Sequence, residues 1–229
     1  MTTLDEALGK LKDRGSASLV VGTVPPESYV RISRRMLGAG GDEPRRRLLV
    51  VPDADRESAV ERMRATGPLD GDHAAVIACN GTARSASADA GGRTGAPGPS
   101  VRRIDGSLAD LGATITDRIE GFEIAGGELA PAELRVGMDH LPDHLSAYDT
   151  QEAFAFLHVF TRQVRRAGGM GHVRLPRDRD TAVVRTLAPL FDALLELRLE
   201  GHRLEQRWHL REHGIVSDWI DVPRASDVG

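Results

Sequence analysis

Apolar residues recur along the chain with two periods, one of about 3.6 residues and one of two residues, and these periods predict helices and strands. In the first half, the predicted helices cover residues 4–13, 26–37 and 56–67, and the predicted strands cover residues 17–22, 45–51 and 74–79. The unbroken apolar run over residues 48–51 favours a strand buried on both faces. The pattern therefore predicts that helices and strands alternate in this half of the chain.

The second half continues the alternation of helices and strands and then ends in strands alone. We expect strands over residues 101–104, 133–139 and 170–176, and helices over residues 149–167, over residues 181–190 and from Ser107 along a stripe that ends at Phe122. The stripe of the 149–167 helix consists of Phe154, Leu157, Phe160 and Val164. Two-residue alternation on both sides of Gly201 and His202 predicts a β-hairpin, and residues 217–222 predict one more strand.

The order of these elements predicts an α/β fold with a mostly parallel sheet, helices on both faces and an antiparallel hairpin extension at the C-terminus. We expect residues 1–229 to form one domain, because α/β domains of this size are ordinary. Residues 82–100 are small, polar and rich in glycine and proline, which predicts a mobile loop inside the domain.

Composition narrows the class of protein. The net charge of -4 gives no strong attraction to DNA or to an anionic membrane. Cys79 is the only cysteine, which excludes an internal disulfide and a cysteine-based metal site and fits a reducing compartment. The sequence contains no apolar run of the ~20 residues that a membrane span needs. We therefore expect a cytoplasmic protein without a membrane partner.

The stretch "SLVVGTVPPESYVRISRRMLG" has the strand, loop and helix layout of a phosphate-binding loop. A working loop has glycine, four residues, glycine, lysine and then serine or threonine. With Gly22 in the first position, Glu27, Ser28 and Tyr29 occupy the other three, and two prolines between them remove N–H donors. The interpretation is an ordinary turn before a helix, so no nucleotide cofactor is expected.

Several phrases of the chain resemble the RecA-type core of KaiC-like ATPases, and most of all the degenerate, uncharacterised KaiC-like proteins of haloarchaea. These phrases are "SLVVGTVPPESY", "ELRVGMDHLPDHLSAYD", "AFLHVFTRQVRRAGGMGHVRLP", "LAPLFDALLELR" and "RWHLREHGIVSDWIDV". The resemblance implies a RecA-like fold and an ancestral ATP site, in which Asp139 falls at the Walker B aspartate. The Walker A residues do not carry over, so the resemblance does not imply ATP hydrolysis here.

One further group of side chains has the composition of a metal site. Asp139, His140, Asp143 and His144 form the densest group of metal-ligand types, but Pro142 interrupts them, and surface histidines beside a strand end are the simpler interpretation. The histidines near the hairpin are expected to be exposed, and no metal site is predicted.

Arginines also cluster, and two interpretations of them stay open. The arginines at positions 34–35, 45–47 and 102–103 could form a basic patch, or they could be solvated ends of elements. No aromatic residues are interleaved with them, which favours the second interpretation.

Three functions follow from these patterns. The first is a catalytically silent RecA/KaiC-like domain that works in regulation or signalling through a protein partner or a homo-oligomer. The second is a DNA-associated transcription regulator that uses the arginine clusters. The third is a nucleotide-binding ATPase with an atypical phosphate loop, in which Asp139 would bind magnesium.

Overall fold

The computed structural model describes residues 2–41, 43–79, 98–104, 107–139 and 150–223. The helices are α1 (Leu4–Arg14), α2 (Pro26–Met36), α3 (Arg56–Arg64), α4 (Leu108–Gly126), α5 (Thr150–Arg166) and α6 (Ala182–Leu187). The strands are β1 (Ser16–Val21), β2 (Arg46–Pro52), β3 (Ala74–Cys79), β4 (Ser100–Ile104), β5 (Leu134–Met138), β6 (Met170–Leu175), β7 (Ala193–Glu200), β8 (Arg203–Leu210), β9 (Ile215–Val216) and β10 (Ile220–Asp221). Nearly every predicted element is present within a few residues of its predicted bounds.

All of these strands belong to one sheet, in the order β10-β8-β7-β1-β6-β5-β2-β3-β4, with β9 paired to β8. The pairs from β7 to β4 are parallel, and β8 runs antiparallel to β7. The prediction of a mostly parallel sheet with an antiparallel C-terminal extension is therefore confirmed. That residues 1–229 form a single domain stays a prediction.

The helices cover both faces of the sheet, as predicted. The stripe of α4 packs with α5, α6 and one side of the central strands into the largest apolar core. On the other face, α1 packs on β7 and β8, α2 on β1, β7 and β8, and α3 on β2 and β3, in three smaller clusters. Thr3 and Glu6 cap α1, and Ser107 and Asp110 cap α4, in reciprocal pairs of hydrogen bonds.

The hairpin has the register that its two-residue pattern predicts. Leu195 pairs with Trp208 and Leu199 pairs with Leu204, so the apolar side chains of both strands share the α1–α2 face of the sheet. Because β8 continues the sheet past β7, α1 gains an apolar surface on which to dock. The hairpin is thus part of the core rather than an appendage.

Three predicted details of the C-terminal half are wrong. Phe154 is 39% exposed, and the buried stripe of α5 runs instead through Ala153, Phe156, Leu157, Phe160 and Val164. The predicted 181–190 helix ends as α-helix at Leu187 and continues as a 3₁₀ turn at Ala188–Leu190, because Pro189 has no N–H to donate. Residues 217–222 form only the two-residue β10, and β9 precedes it.

The predicted mobile loop at residues 82–100 lies outside the described residues except for its last three, and Ser100 begins β4. The predicted start of the fifth helix at residue 149 also lies outside them. Within the described ranges, no helix is both long enough and apolar enough to cross a membrane.

Candidate active site at the carboxyl edge of the sheet

The loop after β1 leaves the sheet through Gly22, which is the first predicted phosphate-loop position. Gly22 has φ +105°, and a Cβ there would lie 2.1 Å from the carbonyl oxygen of Leu197 on β7. Its N–H donates to the carbonyl oxygen of Arg177 at 2.9 Å. The glycine is therefore needed for close packing between strands, and its amide is already used.

The start of α2 offers few other amide donors. Pro25, with φ −55° and ψ 149°, precedes the helix, and Pro26 is its first residue, so neither position has an N–H. The amides of Ser28 and Tyr29 both donate to the carbonyl oxygen of Pro25, at 3.0 and 3.2 Å. Glu27 is exposed at the helix N-terminus and adds negative charge there. The turn is therefore a poor cradle for phosphate.

Tyr29 and Asp139, which are 110 positions apart in the chain, meet at the carboxyl edge of the sheet. The buried hydroxyl of Tyr29 donates to Oδ1 of Asp139 at 3.0 Å. Burial raises the pKa of Tyr29 well above its ordinary value, and the negative charge of Asp139 adds to the effect. The tyrosine is therefore a neutral donor that holds one oxygen of the aspartate.

The second oxygen of Asp139 is held by Arg62 of α3. Nη2 of Arg62 forms an ion pair with Oδ2, and both side chains are at least nine-tenths buried. A buried carboxylate is costly unless it is paired and hydrogen-bonded, and here it is both. Both oxygens already accept protein donors, and the paired guanidinium of Arg62 would repel a magnesium ion, so this arrangement disfavours metal binding at Asp139.

The network continues from Arg62 into the interior beneath α2. Nη1 of Arg62 donates to Oγ of Ser33 at 3.1 Å, and Oγ of Ser33 lies 3.3 Å from Nε2 of His172 on β6. His172 is 1% exposed, and burial together with the nearby charges of Arg62 and Arg135 lowers its pKa to about 3. The imidazole is therefore neutral at physiological pH.

A cavity of about 380 Å³ opens beside this network, and its wall includes Tyr29, Ser58, Arg62, Asp139 and Arg174. The guanidinium of Arg174 lies 4.4 Å from the centre of the Tyr29 ring, on the side of the sheet that carries α2. The cavity lies at the carboxyl ends of parallel strands whose following helices go to opposite faces. Ligands of α/β proteins commonly bind at such places.

The remaining sequence candidates do not join this site. Of the proposed metal-ligand cluster, only Asp139 is described, and His140, Asp143 and His144 lie outside the described residues. Burial raises the pKa of the Cys79 thiol to about 12, which makes it a poor nucleophile.

The prediction that the hairpin histidines are exposed is confirmed for His202 only. His202 is exposed and His213 is partly exposed. His209 is partly buried, and its Nε2 lies 3.0 Å from Oε2 of Glu196.

The arginine clusters also separate in the structure. The arginines at positions 45–47 are each at most 8% exposed, so the prediction that they are solvated is wrong for this cluster. Arg47 donates to the carbonyl oxygen of Leu37 at the end of α2, and Arg46 pairs with Glu133. Arg103 lies on the edge strand β4, where it pairs with Asp53. The three clusters therefore do not form one patch.

Sequence reasoning missed four members of the network, Ser33, Arg62, His172 and Arg174. A signal for two of them was present: His172 and Arg174 alternate in a strand that lies between other parallel strands, where both faces are buried. Polar residues in such a strand need partners. Arg62 and Ser33 gave no signal, because each is an ordinary polar residue in a helix.

Comparison with known protein families gives a match over most of the chain. A model described as a family of unknown function, DUF7504, matches residues 15–197. This range runs from β1 into β7 and contains every residue of the network. A search of curated proteins finds no match for the chain.

The buried ion pair gives the first prediction. Asp139→Asn leaves Arg62 buried without a counter-charge, so the free energy of unfolding should fall by about 3–5 kcal/mol. Urea unfolding followed by circular dichroism measures this loss. The matched control is Asp53→Asn, which breaks a partly exposed pair with Arg103 and should cost less than about 1 kcal/mol.

A double variant tests whether the loss of stability comes from the unpaired charge of Arg62. In Arg62→Met with Asp139→Leu, no unpaired charge remains, so much of the stability lost in Asp139→Asn should return. Equal, small losses in Asp139→Asn and Asp53→Asn would contradict the assignment of a buried pair.

The neutral state of His172 gives the second prediction. Its folded-state pKa of about 3 lies below the ordinary value of 6.5, so the unfolded chain binds a proton first as the pH falls. The contribution of His172 to stability is complete above the ordinary pKa and is lost as the pH falls toward 3. The free energy of unfolding should therefore drop by up to about 1.4 kcal/mol per pH unit between pH 6 and 4.5.

The His172→Gln variant should show a shallower slope over that range. His158→Gln serves as the control, because His158 is exposed on α5, and it should keep the slope of the unmodified protein. If His172→Gln and His158→Gln have the same slope, burial of a neutral imidazole is not the cause of the acid sensitivity.

Proposed function

We propose a function from the site itself, because the chain belongs to the DUF7504 family and that family is one of unknown function. The function is that of a catalytically silent RecA/KaiC-like domain that works in regulation or signalling through protein-protein contacts. One observation carries the proposal: the aspartate at the end of β5 is bonded through both oxygens to Arg62 and Tyr29.

The position of the site supports the RecA-like part of the proposal. β1 lies inside the parallel sheet, and β6 separates it from β5. The loop after β1 and the aspartate after β5 therefore reach the same edge of the sheet, as a phosphate loop and a magnesium ligand would have to do. This placement supports descent from a nucleotide site, in which protein contacts now hold the groups that would bind the nucleotide.

The charges and hydrogen bonds around the site disfavour a bound nucleotide. A magnesium triphosphate needs amide donors, a cation for the phosphates and a free carboxylate for the metal. Here the amides of Gly22, Ser28 and Tyr29 donate to carbonyl oxygens of the protein. Glu27 places a carboxylate at the start of α2. Arg62 forms an ion pair with Asp139 and neutralises its charge. Each of these changes disfavours a bound nucleotide.

An exposed apolar surface supports the interaction part of the proposal. A groove of about 540 Å³ runs between α4 and α5 on the outside of the molecule, and its floor includes Gly112 and Ala113 of α4. Val159 of α5, which is 48% exposed, stands beside this floor. An apolar side chain beside a floor of small residues allows a two-fold contact, in which each copy places its Val159 against the small residues of the other. We therefore assign a second copy of the chain to this face.

The two other functions have less support. A DNA-associated regulator would need its arginines on the surface, and the 45–47 cluster is turned inward onto protein acceptors. An atypical ATPase would need a free carboxylate at Asp139. Neither has an observation that favours it over the first proposal.

The test of the silent site is a titration with magnesium ATP. Isothermal titration calorimetry should give no saturable heat up to ~1 mM nucleotide, which corresponds to binding weaker than about 4 kcal/mol. A phosphate-release assay should give no turnover above a protein-free blank. Saturable binding that disappears in a folded Asp139→Asn variant would overturn the proposal and favour the atypical ATPase.

The test of the interaction surface is the oligomeric state. Sedimentation velocity should show a mass that rises with protein concentration, and Val159→Asp should keep the protein monomeric, because a carboxylate would be buried in the contact. Val216→Asp is the control, since Val216 is 59% exposed on β9, away from the groove, and should associate like the unmodified protein. A monomer at every concentration would exclude the second copy.

A further inference from the structure

A second cavity, of about 360 Å³, lies between α1, α2 and the sheet, on the same face as the buried network. Its long wall is apolar, with side chains from both helices and from three strands: Leu8, Ile32, Met36, Met170, Leu195 and Trp208. Cavities of this size and composition suit small molecules, and methionines adapt their shape to a ligand. This cavity lies toward the amino ends of β5 and β6, so it is separate from the site beside Asp139.

Three cations surround this apolar wall. Lys12 of α1, Arg35 of α2 and Arg135 of β5 all line the cavity, and none of the described residues that line it is an aspartate or a glutamate. Lys12 already pairs with Glu43 at 3.2 Å. Among the described residues, no carboxylate forms an ion pair with Arg35 or Arg135; the charge of Glu43, which pairs with Lys12 and Arg45, acts on Arg135 from beyond ion-pair distance.

Arg135 is the most unusual of the three. It is 8% exposed, and its guanidinium donates to the carbonyl oxygens of Ala132 and Met36, at 3.0 and 3.3 Å, and to Sδ of Met170 at 2.9 Å. All of these acceptors are neutral, and Nη2 makes no hydrogen bond with a described residue. A largely buried guanidinium whose hydrogen-bond acceptors are all neutral favours a further anion beside it.

We propose that this cavity binds an amphipathic small-molecule acid, with its carboxylate against Arg135 and Arg35 and its apolar chain along the wall between Met36 and Trp208. The lining points to this class, because it combines three cations with a mainly apolar wall, and His172 and Gln206 are its other polar side chains. The proposal does not depend on the state of Asp139.

Decanoate is the probe, used below its micelle-forming concentration. Isothermal titration calorimetry should show one saturable site per chain, and decanol and acetate should bind at least about tenfold more weakly, because each lacks one half of the recognition. In a Trp219→Phe background, decanoate should change the fluorescence of Trp208, the tryptophan in the cavity wall. Equal affinity for decanol and decanoate would overturn the proposal, as would the absence of saturable binding.

A matched pair of variants tests the head-group position. Arg35→Glu should weaken decanoate binding at least about tenfold, since it replaces an attractive charge with a repulsive one. Arg34→Glu makes the same change of net charge on the same helix, at a position outside the cavity, and should leave the affinity within about twofold. Equal weakening in both variants would show general attraction to a positive helix and would overturn the assignment. Because Arg35 is exposed, its variant tests the site without disturbing the core.

Discussion

The buried charge of Asp139 is the constraint on which the α1–α3 side of the molecule depends. A carboxylate that is 7% exposed at the end of a central strand has lost its water, and it is tolerable only with a cation and hydrogen-bond donors in fixed positions. Arg62 comes from α3 and Tyr29 comes from α2, so the need of one side chain ties two helices to β5. The same contacts occupy the edge of the sheet where a ligand would otherwise meet the aspartate.

The two faces of the sheet consequently bury different kinds of side chain. The face under α4, α5 and α6 is apolar and packs as an ordinary core. On the opposite face, β1, β5 and β6 carry Ser18, Arg135 and His172 toward α1 and α2. Polar side chains in such a layer must find partners, and the carbonyl oxygens at the end of α2 supply several of them. This face holds both the cavity beside Asp139 and the amphipathic cavity.

The fold was more predictable from the sequence than the site was. Helix and strand periods are local signals, and the paired register of β7 and β8 follows from alternation around Gly201. The network is non-local, since Ser33 and His172 lie 139 positions apart and no period relates them. The arginines at positions 45–47 were predicted as solvated from their charge alone, but β2 lies in the middle of the sheet and buries them. Phe154 and Phe156 are both compatible with an apolar stripe, and only packing against α4 distinguishes them.

The charges around His172 explain why it has to be neutral. Arg62 can only donate, so its bond to Ser33 uses one lone pair of that oxygen. The hydroxyl keeps its proton and a second lone pair, which suit either neutral tautomer of His172. A protonated imidazole would place a third positive charge beside Arg62 and Arg135 in a buried site. His172 also forms part of the wall of the amphipathic cavity, so its neutrality keeps one more positive charge out of both the network and that cavity.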